Sequence, residues 1–550
     1  MSEDPHRRIA EAVEKAEPLV VDTDAPPAPS DDPAPESFQS ERSSFGGGRG
    51  SGGPPRDDSG PDDFTLAMLP LTDLGNAERF ARRQKGRLLF VAAIGWLAWD
   101  GARWAREGAD EIVTRAVHHT VRKIQDEAKA LAESGEDFAV DKKRDGMVVM
   151  LSDKVRAWGR ASEAAAKLKP IPLQAAPYLA VPSSALDADP WKLNVANGTL
   201  HIRREPGDDD PITLRPHDPA DLITKLAPVI YDPEAACPVY DRFLDGVMPA
   251  IEMRRFLHQW GGYSLTGDVG EQKLCFFYGK GKNGKSTLVD AWGHVAGDYG
   301  ETVPIETFLD QGRGRNAGQA TPDLAILPGC RFLRTSEPEK GAKLAEALIK
   351  LVTGGEPIQA RHLNRDYFKF RPAFKLTMSG NYRPVLDGTD EGIWRRVVLV
   401  PFLVTVEKPD RLLAGKLMLE ASGILNRLLD GLRDYLDNGM VWPDVVIEAT
   451  AAYREDSDPL GRFLEIAVRR DVGNRVASAD MHRLFTAWAR SAGEREWKPK
   501  GLTGALKERG FAAMHSNGTW WLDIKLIASE FDFAPPSNPS APPADDDEHE

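Results

Sequence analysis

The sequence predicts a multidomain α/β protein built around a phosphate-binding core. Three observations carry that expectation. The chain has 550 residues, too many for one core and suited to roughly two to four domains. Residues 273–403 alternate apolar strands with helical stretches, an α/β pattern. Inside that stretch, Gly279-x-x-x-x-Gly284-Lys285-Ser286 fits the P-loop pattern in full.

The two ends stand apart from this core. Residues 1–63 are rich in Pro, Gly, Ser and Asp, and residues 534–550 read APPSNPSAPPADDDEHE. Neither can bury enough apolar surface to offset its chain entropy, so both are expected to be disordered, apart from a short helix pattern over 5–20. The whole chain carries 70 Lys+Arg against 84 Asp+Glu, a formal net charge of −14. The ends account for all of it: net −9 over 1–63 and net −5 over 534–550, leaving 64 of each sign between them. An acidic total argues at first sight against a nucleic-acid binder, but the central part is neutral. The three cysteines, Cys237, Cys275 and Cys330, form no CxxC pair. That spacing excludes a zinc ribbon and suits a reducing compartment. No apolar run reaches the roughly 18–20 residues of a membrane span, and the first residues hold no apolar signal region. A cytoplasmic protein with no membrane partner is expected.

Between the ends, residues 64–240 read as α+β. Asp73 is a candidate cap for a helix through NAERFARRQK. LLFVAAIGWLAWDG reads as a hairpin, and 108–134 as a long helix with Val113, Val117, Val121, Ile124, Ala128 and Leu131 on one face. KLNVANGTLHIRRE is a second hairpin turning at Asn197-Gly198. The DDD at 208–210 reads as a solvated turn. Residues 241–272 and 410–440 look helical.

The phosphate site begins with LCFFY, Leu274 to Tyr278, a buried strand by composition. Gly279, Lys280, Gly281, Lys282, Asn283 and Gly284 form the loop, and Lys285, Ser286 and Thr287 open a helix. Glycines let the backbone wrap a phosphate with its N–H groups inward, and the helix presents its positive end to the same anion. Lys285 suits the β- and γ-phosphates, and Ser286 suits Mg²⁺. A second strand, RFLRT, leads to Glu337, the candidate metal-binding or water-activating acid, with Glu339 as a possible second. A third strand, FKLTMSGN, ends at Asn381, suited to the γ-phosphate or the attacking water. Arg395 and Arg396 precede the strand VVLVPF. Each reads as a surface charge or as a finger reaching a neighbour's phosphates.

The order of these elements, from SEPEKGAKLAEALIKLVTGGEPIQARHLNRDYFKF to LTMSGNYRPVLDGTDEGIWRRVVLVPF, resembles the core of the superfamily 3 helicases. Specifically it is similar to the phage and plasmid primase-helicases related to the poxvirus primase-helicase. TDLGNAERFARRQ, WLAWDGARW, LNVANGTL and YDPEAACPVYDRFL resemble that group's helicase-associated N-terminal domain. The resemblance covers about residues 65–530. It implies an AAA+-like superfamily 3 core, a homohexameric ring, ATP and Mg²⁺ bound between subunits, and single-stranded or forked DNA drawn through the channel. It assigns Glu337 as the Walker B acid, Asn381 as the sensor and Arg395 as the arginine finger, with Arg396 in reserve. It also implies a DNA-touching hairpin at PIQARHLNRDYFKFRP, with Arg361, His362 and Arg365 at or near its turn. Relatives that prime DNA carry a primase-polymerase module ahead of the helicase half. None is seen here, so a separate primase or polymerase partner is expected.

The C-terminal unit reads as three helices and a hairpin, the pattern of a winged helix. SDPLGRFLEIAVRRD is the first helix, capped by Ser457 or Asp458. SADMHRLFTAWARSAG is the second, capped by Ser478 or Asp480. KPKGLTGALKERG is the third, with Lys500 and Lys507 as candidate DNA contacts beside Lys498 and Arg509. The expected domains are 64–240, 241–450 and 451–533. The expected function is an ATP-dependent replicative DNA helicase. The alternative is an origin-binding initiator whose ATP site only controls assembly.

Overall fold

The computed structural model describes residues 62–204, 210–310, 321–335, 337–361, 367–386 and 391–533. The sequence readings over 1–61 and 534–550 lie outside these residues. Near the start, the Asp73–Gln84 and Ala109–Glu133 helices pack with a three-stranded antiparallel sheet, and the Leu151–Ser162 helix packs against the Ala109–Glu133 helix. Its strands are β1 (Leu88–Val91), β2 (Gly95–Trp99) and β3 (Trp104–Ala105). The long helix matches its apolar spacing, with Val113, Val117, Val121, Ile124, Ala128 and Leu131 all buried. The cap of the first helix is Thr72, not Asp73: the Gly75 amide donates to the Thr72 hydroxyl at 3.0 Å, and Asp73 is the first helical residue. Two salt-bridged residues tie these helices together in the interior. Arg79 and Glu127, both fully buried, pair at 2.8 Å, and Arg79 also donates to the carbonyls of Leu69 and Pro70.

A short hairpin of β4 (Ala139–Lys142) and β5 (Val148–Met150), which the sequence did not reveal, lies between the Ala109–Glu133 and Leu151–Ser162 helices. Next come β6 (Lys192–Val195), β7 (Gly198–Ile202) and β8 (Ile212–Arg215), with β6 and β7 turning at Asn197-Gly198. Leu193, Val195 and Leu200 belong to the same apolar cluster as Trp260, Phe277 and Leu288, so this small sheet is packed into the core of the next region. Asp210 is not simply a solvated turn residue: its carboxylate takes both arms of the Arg433 guanidinium, at 3.0 and 2.9 Å. Asp208 and Asp209 lie outside the described residues.

The central sheet has five parallel strands. They are β9 (Leu274–Tyr278), β10 (Gly300–Val303), β11 (Phe332–Thr335), β14 (Lys375–Gly380) and β15 (Val397–Pro401), in the order β10-β11-β14-β9-β15. Between β11 and β14 the chain makes an antiparallel pair, β12 (Ile358–Arg361) with β13 (Tyr367–Phe370). Both faces of the central sheet are covered, which is why its strands read as unbroken apolar runs. Cys275, Phe277, Val398 and Val400 pack with Trp260 and Trp292 on one face, and Leu274, Phe276, Met378 and Leu399 with Ile349 and Trp394 on the other. Because the strands are parallel, their carboxyl ends share one edge, where open α/β sheets bind ligands.

The opposite, amino-terminal edge is fixed by two buried cations. The fully buried Lys375 ammonium donates to the carbonyls of Thr266, Asp268 and Ala373. Arg331 donates to the carbonyls of Leu265 and Asp189. Residues 265–268 directly follow the Ile251–Ser264 helix, so both cations sit where a helix end concentrates unpaired carbonyls. Burial pulls the Lys375 pKa well below the ordinary lysine value, yet three acceptors match the three N–H donors of an ammonium. Lys375→Met is expected to strand those carbonyls and lower stability by about 2–3 kcal/mol, read by denaturant unfolding. An unchanged midpoint would show that the carbonyls find other donors.

The C-terminal region holds the Asp444–Asp456, Pro459–Ala467, Ser478–Ala492 and Pro499–Glu508 helices and a three-stranded antiparallel sheet. Its strands are β16 (Val468–Ala477), β17 (Ala513–His515) and β18 (Thr519–Leu526), in the order β16-β18-β17. Asp458 caps the Pro459–Ala467 helix by accepting from the Gly461 amide. Two expectations change. The VRRD segment, read as the end of a helix, lies on β16, paired to β18. The Ser478–Ala492 helix starts without a side-chain cap, after Ala477. No helix among the described residues is long and apolar enough to cross a membrane.

Candidate nucleotide-binding site

The glycine-rich loop leaves the carboxyl end of β9, next to β14 and β15, and enters the Lys285–Ala296 helix. Two of its glycines are required by geometry. A Cβ on Gly279 would lie 2.2 Å from the Phe402 carbonyl oxygen. Gly284 has φ +82°, and a Cβ there would meet Val247 at 2.8 Å and Phe243 at 3.0 Å. Two hydrogen bonds pin the loop to the chain after β15: the Val406 amide donates to the Lys282 carbonyl at 2.7 Å, and the Asn283 side-chain amide to the Phe402 carbonyl at 3.3 Å. Lys280, Gly281, Lys282 and Ser286 are exposed, while Asn283 and Lys285 are buried.

Lys285 is only 6% exposed. Its ammonium donates to the Gly279 carbonyl at 2.6 Å, to Asn283 Oδ1 at 3.1 Å and to Asn381 Oδ1 at 3.4 Å. Burial lowers its pKa and the Glu337 carboxylate opposes that shift. The Asn381 amide in turn donates to Glu337 Oε1 at 2.6 Å. Three residues 96 positions apart at the extremes are thus joined at one edge of the sheet. Ser379 lies on the same face of β14 as Asn381, and its buried hydroxyl has no hydrogen-bond partner among the described atoms.

The residues present fit a nucleotide and its magnesium ion. The loop offers a helix N-terminus and a buried cation. No group of three or more His, Cys, Asp or Glu is close enough for a metal among the described residues. Ser286 and Glu337 alone suit an ion held largely by phosphate and water, as Mg²⁺ usually is. Glu339 is exposed beyond Pro338 and makes no side-chain contact with Lys285 or Asn381 among the described bonds.

The two arginines before β15 separate cleanly. Arg396 is 7% exposed and donates to the Thr353 hydroxyl at 3.0 Å and the Gly392 carbonyl at 2.6 Å, so it serves the interior. Arg395 is exposed. Its carbonyl accepts from Lys273, which places it at the amino edge of the sheet, opposite the loop. The five residues of β15 span about 16 Å, far beyond the reach of an arginine side chain toward the loop of its own chain.

One residue near the site was missed in the sequence. Arg383 follows Asn381 by two positions, packs over the rings of Tyr278 and Tyr453 at 5.5 and 5.3 Å, and pairs with Asp456 at 2.9 Å. It thereby links the end of β9 to the Asp444–Asp456 helix. The NYRP run after β14 was the available signal.

Of the candidate DNA contacts, Arg361 is the last residue of β12, half-buried, with its guanidinium 4.9 Å from the Tyr367 ring centre. His362 and Arg365 lie outside the described residues. Lys500 and Lys507 are exposed on the Pro499–Glu508 helix, whereas Arg509 pairs with Asp458.

Residues 77–249 match the family described as D5 N terminal like. "Putative helicase L207/L206" of Acanthamoeba polyphaga mimivirus is 27% identical over 270 residues, covering 45% of this chain and 28% of that protein. "Putative helicase 022R" of Frog virus 3 is 27% identical over 266 residues, covering 45% of this chain and 27% of that protein. "Putative primase C962R" of African swine fever virus is 24% identical over 213 residues, covering 38% and 22%. The aligned stretches span less than a third of each relative's own length. Domain match and viral relatives agree in supporting a likeness to the D5-like primase-helicases.

Proposed function

We propose that this chain is an ATP-dependent DNA helicase of virus, phage or plasmid replication, acting as a homohexameric ring. The observation that carries the reading is the junction of Lys285, Asn381 and Glu337 at the loop between β9 and the Lys285–Ala296 helix. In this reading the chain has a P-loop ATPase core and a C-terminal winged helix. Gly279 to Thr287 hold the triphosphate, with the Lys285 ammonium turned from the Gly279 carbonyl toward the β- and γ-phosphates. Ser286 and Glu337 hold Mg²⁺, which supplies charge neutralisation on the phosphates. Glu337 and Asn381, already bonded to each other, orient the attacking water. Arg395 lies too far from the loop of its own chain and serves the loop of a neighbour, where a fixed cation stabilises charge on the transferring group. Arg361, at the end of β12, and His362 and Arg365, which follow it in sequence, contact single-stranded DNA in the channel. Cationic tips of this kind grip phosphates without reading bases. Lys500 and Lys507 add contacts to forked DNA.

Strand displacement from a forked duplex tests this. The purified chain with ATP and Mg²⁺ is expected to separate the strands and to stop when a non-hydrolysable analogue replaces ATP. ATP-dependent binding without strand separation would instead identify an origin-binding initiator.

A further inference from the structure

The C-terminal sheet has one face that its helices do not cover. Trp521, Ile524 and Val476 point inward and share a cluster with Met481, Phe485 and Trp488. Strand alternation puts their neighbours on the other face. Register fixes how these meet. Met514 and Ala477 flank Trp520, Arg475 stands opposite Leu522, and Arg469 stands opposite Lys525. The outer face therefore carries Arg469, Arg475 and Lys525 around Trp520, Leu522 and Met514.

The arrangement at its centre is specific. The Arg475 guanidinium lies 4.6 Å from the Trp520 ring centre. The indole is itself held, because its Nε1 donates to the Ser516 carbonyl at 3.0 Å. Trp520 thus provides a fixed bed beside the guanidinium of the exposed Arg475. A planar cation held in this way is a stacking surface for an unpaired base, and it loses little side-chain entropy on binding. Arg469 and Lys525 sit along the same strands at positions suited to phosphates. Acids oppose them little. Asp471 pairs with Lys525 at 3.4 Å, and Asp523 accepts from the Gly473 amide within the β16 irregularity.

We propose that this outer face, centred on Arg475 seated on Trp520, binds single-stranded nucleic acid by base stacking on the guanidinium and phosphate contact to Arg469 and Lys525. The surface is separate from Lys500 and Lys507, which lie on a helix. It deepens the helicase reading by placing a second grip on the unwound strand, outside the channel. A duplex offers no free base face, so the surface discriminates between unpaired and paired strands.

The test is equilibrium binding of a labelled oligothymidylate to the full chain, without nucleotide, beside a labelled blunt duplex. Arg475→Ala and Trp520→Ala are each expected to weaken oligothymidylate binding about tenfold and to change duplex binding much less. Arg475→Lys keeps the charge but loses the plane, and is expected to behave nearly as Arg475→Ala does. Thermal unfolding of each variant separates lost binding from lost folding, and Trp520→Phe is the milder variant if Trp520→Ala unfolds. Wild-type affinity in Arg475→Ala overturns the proposal, and so does wild-type affinity in Arg475→Lys, which would reduce the surface to simple charge. If the chain proves to hydrolyse no ATP but these variants still lose oligothymidylate binding, the helicase reading fails and this surface stands.

Discussion

Lys285→Ala is expected to abolish ATP hydrolysis while leaving the chain folded. Lys285 sits at the meeting point of the glycine loop and the end of β14, with its ammonium on Gly279, Asn283 and Asn381. Those bonds are to neutral oxygens and hold the side chain ready for a stronger anionic partner. Truncation removes a cation from a buried position where its field is little screened. Losing one such fixed group costs on the order of 100-fold or more in turnover. Stability should change little, because Gly279, Gly284 and the hydrogen bonds to residues 402 and 406 shape the loop without it. Phosphate release and thermal unfolding read the two effects separately. Wild-type turnover in this variant would remove the site assignment.

Arg395→Ala is expected to lower ATP hydrolysis on the order of 1,000-fold, the scale of an arginine finger, and to leave nucleotide binding in place. The expectation rests on position. Arg395 is exposed at the amino edge of the sheet, beside Lys273, and the glycine loop is at the other edge. Arg396→Ala should act differently. That side chain is buried against Thr353 and Gly392, so its loss leaves acceptors unmet in the interior. Reduced thermal stability is expected, with activity lost only as folding is lost. If Arg396→Ala folded normally but failed to hydrolyse ATP, the two roles would have to be exchanged.

The parts of this site that were legible in the sequence are those whose chemistry is contiguous. The β9 strand, the loop and its helix lie within one stretch, and glycines at 279 and 284 are explained by one close contact and one left-handed backbone. The bond from the Asn381 amide to Glu337 was not legible, because it depends on β11 and β14 being neighbours in the sheet. Nor was the contrast between Arg395 and Arg396. Two adjacent arginines look alike in sequence, and only the turn into β15 points one outward and the other inward. β10 escaped notice because GETV at an edge has no apolar run to mark it. β16 escaped because VRRD continues the apolar spacing of the helix before it, and pairing with the distant β18 overrides that local pattern. The same misreading hid the outer face of the C-terminal sheet and directed attention to the lysines of the last helix.

The claim that one chain holds the nucleotide and its neighbour completes the site is tested by mixing Lys285→Ala chains with Arg395→Ala chains. Each alone is expected to be inactive. In a mixed assembly, an intact Lys285 from one chain faces an intact Arg395 from the next. ATP hydrolysis should therefore rise well above the sum of the separate preparations. A mixture as inactive as its parts, under conditions where the two chains co-assemble, would contradict a shared site.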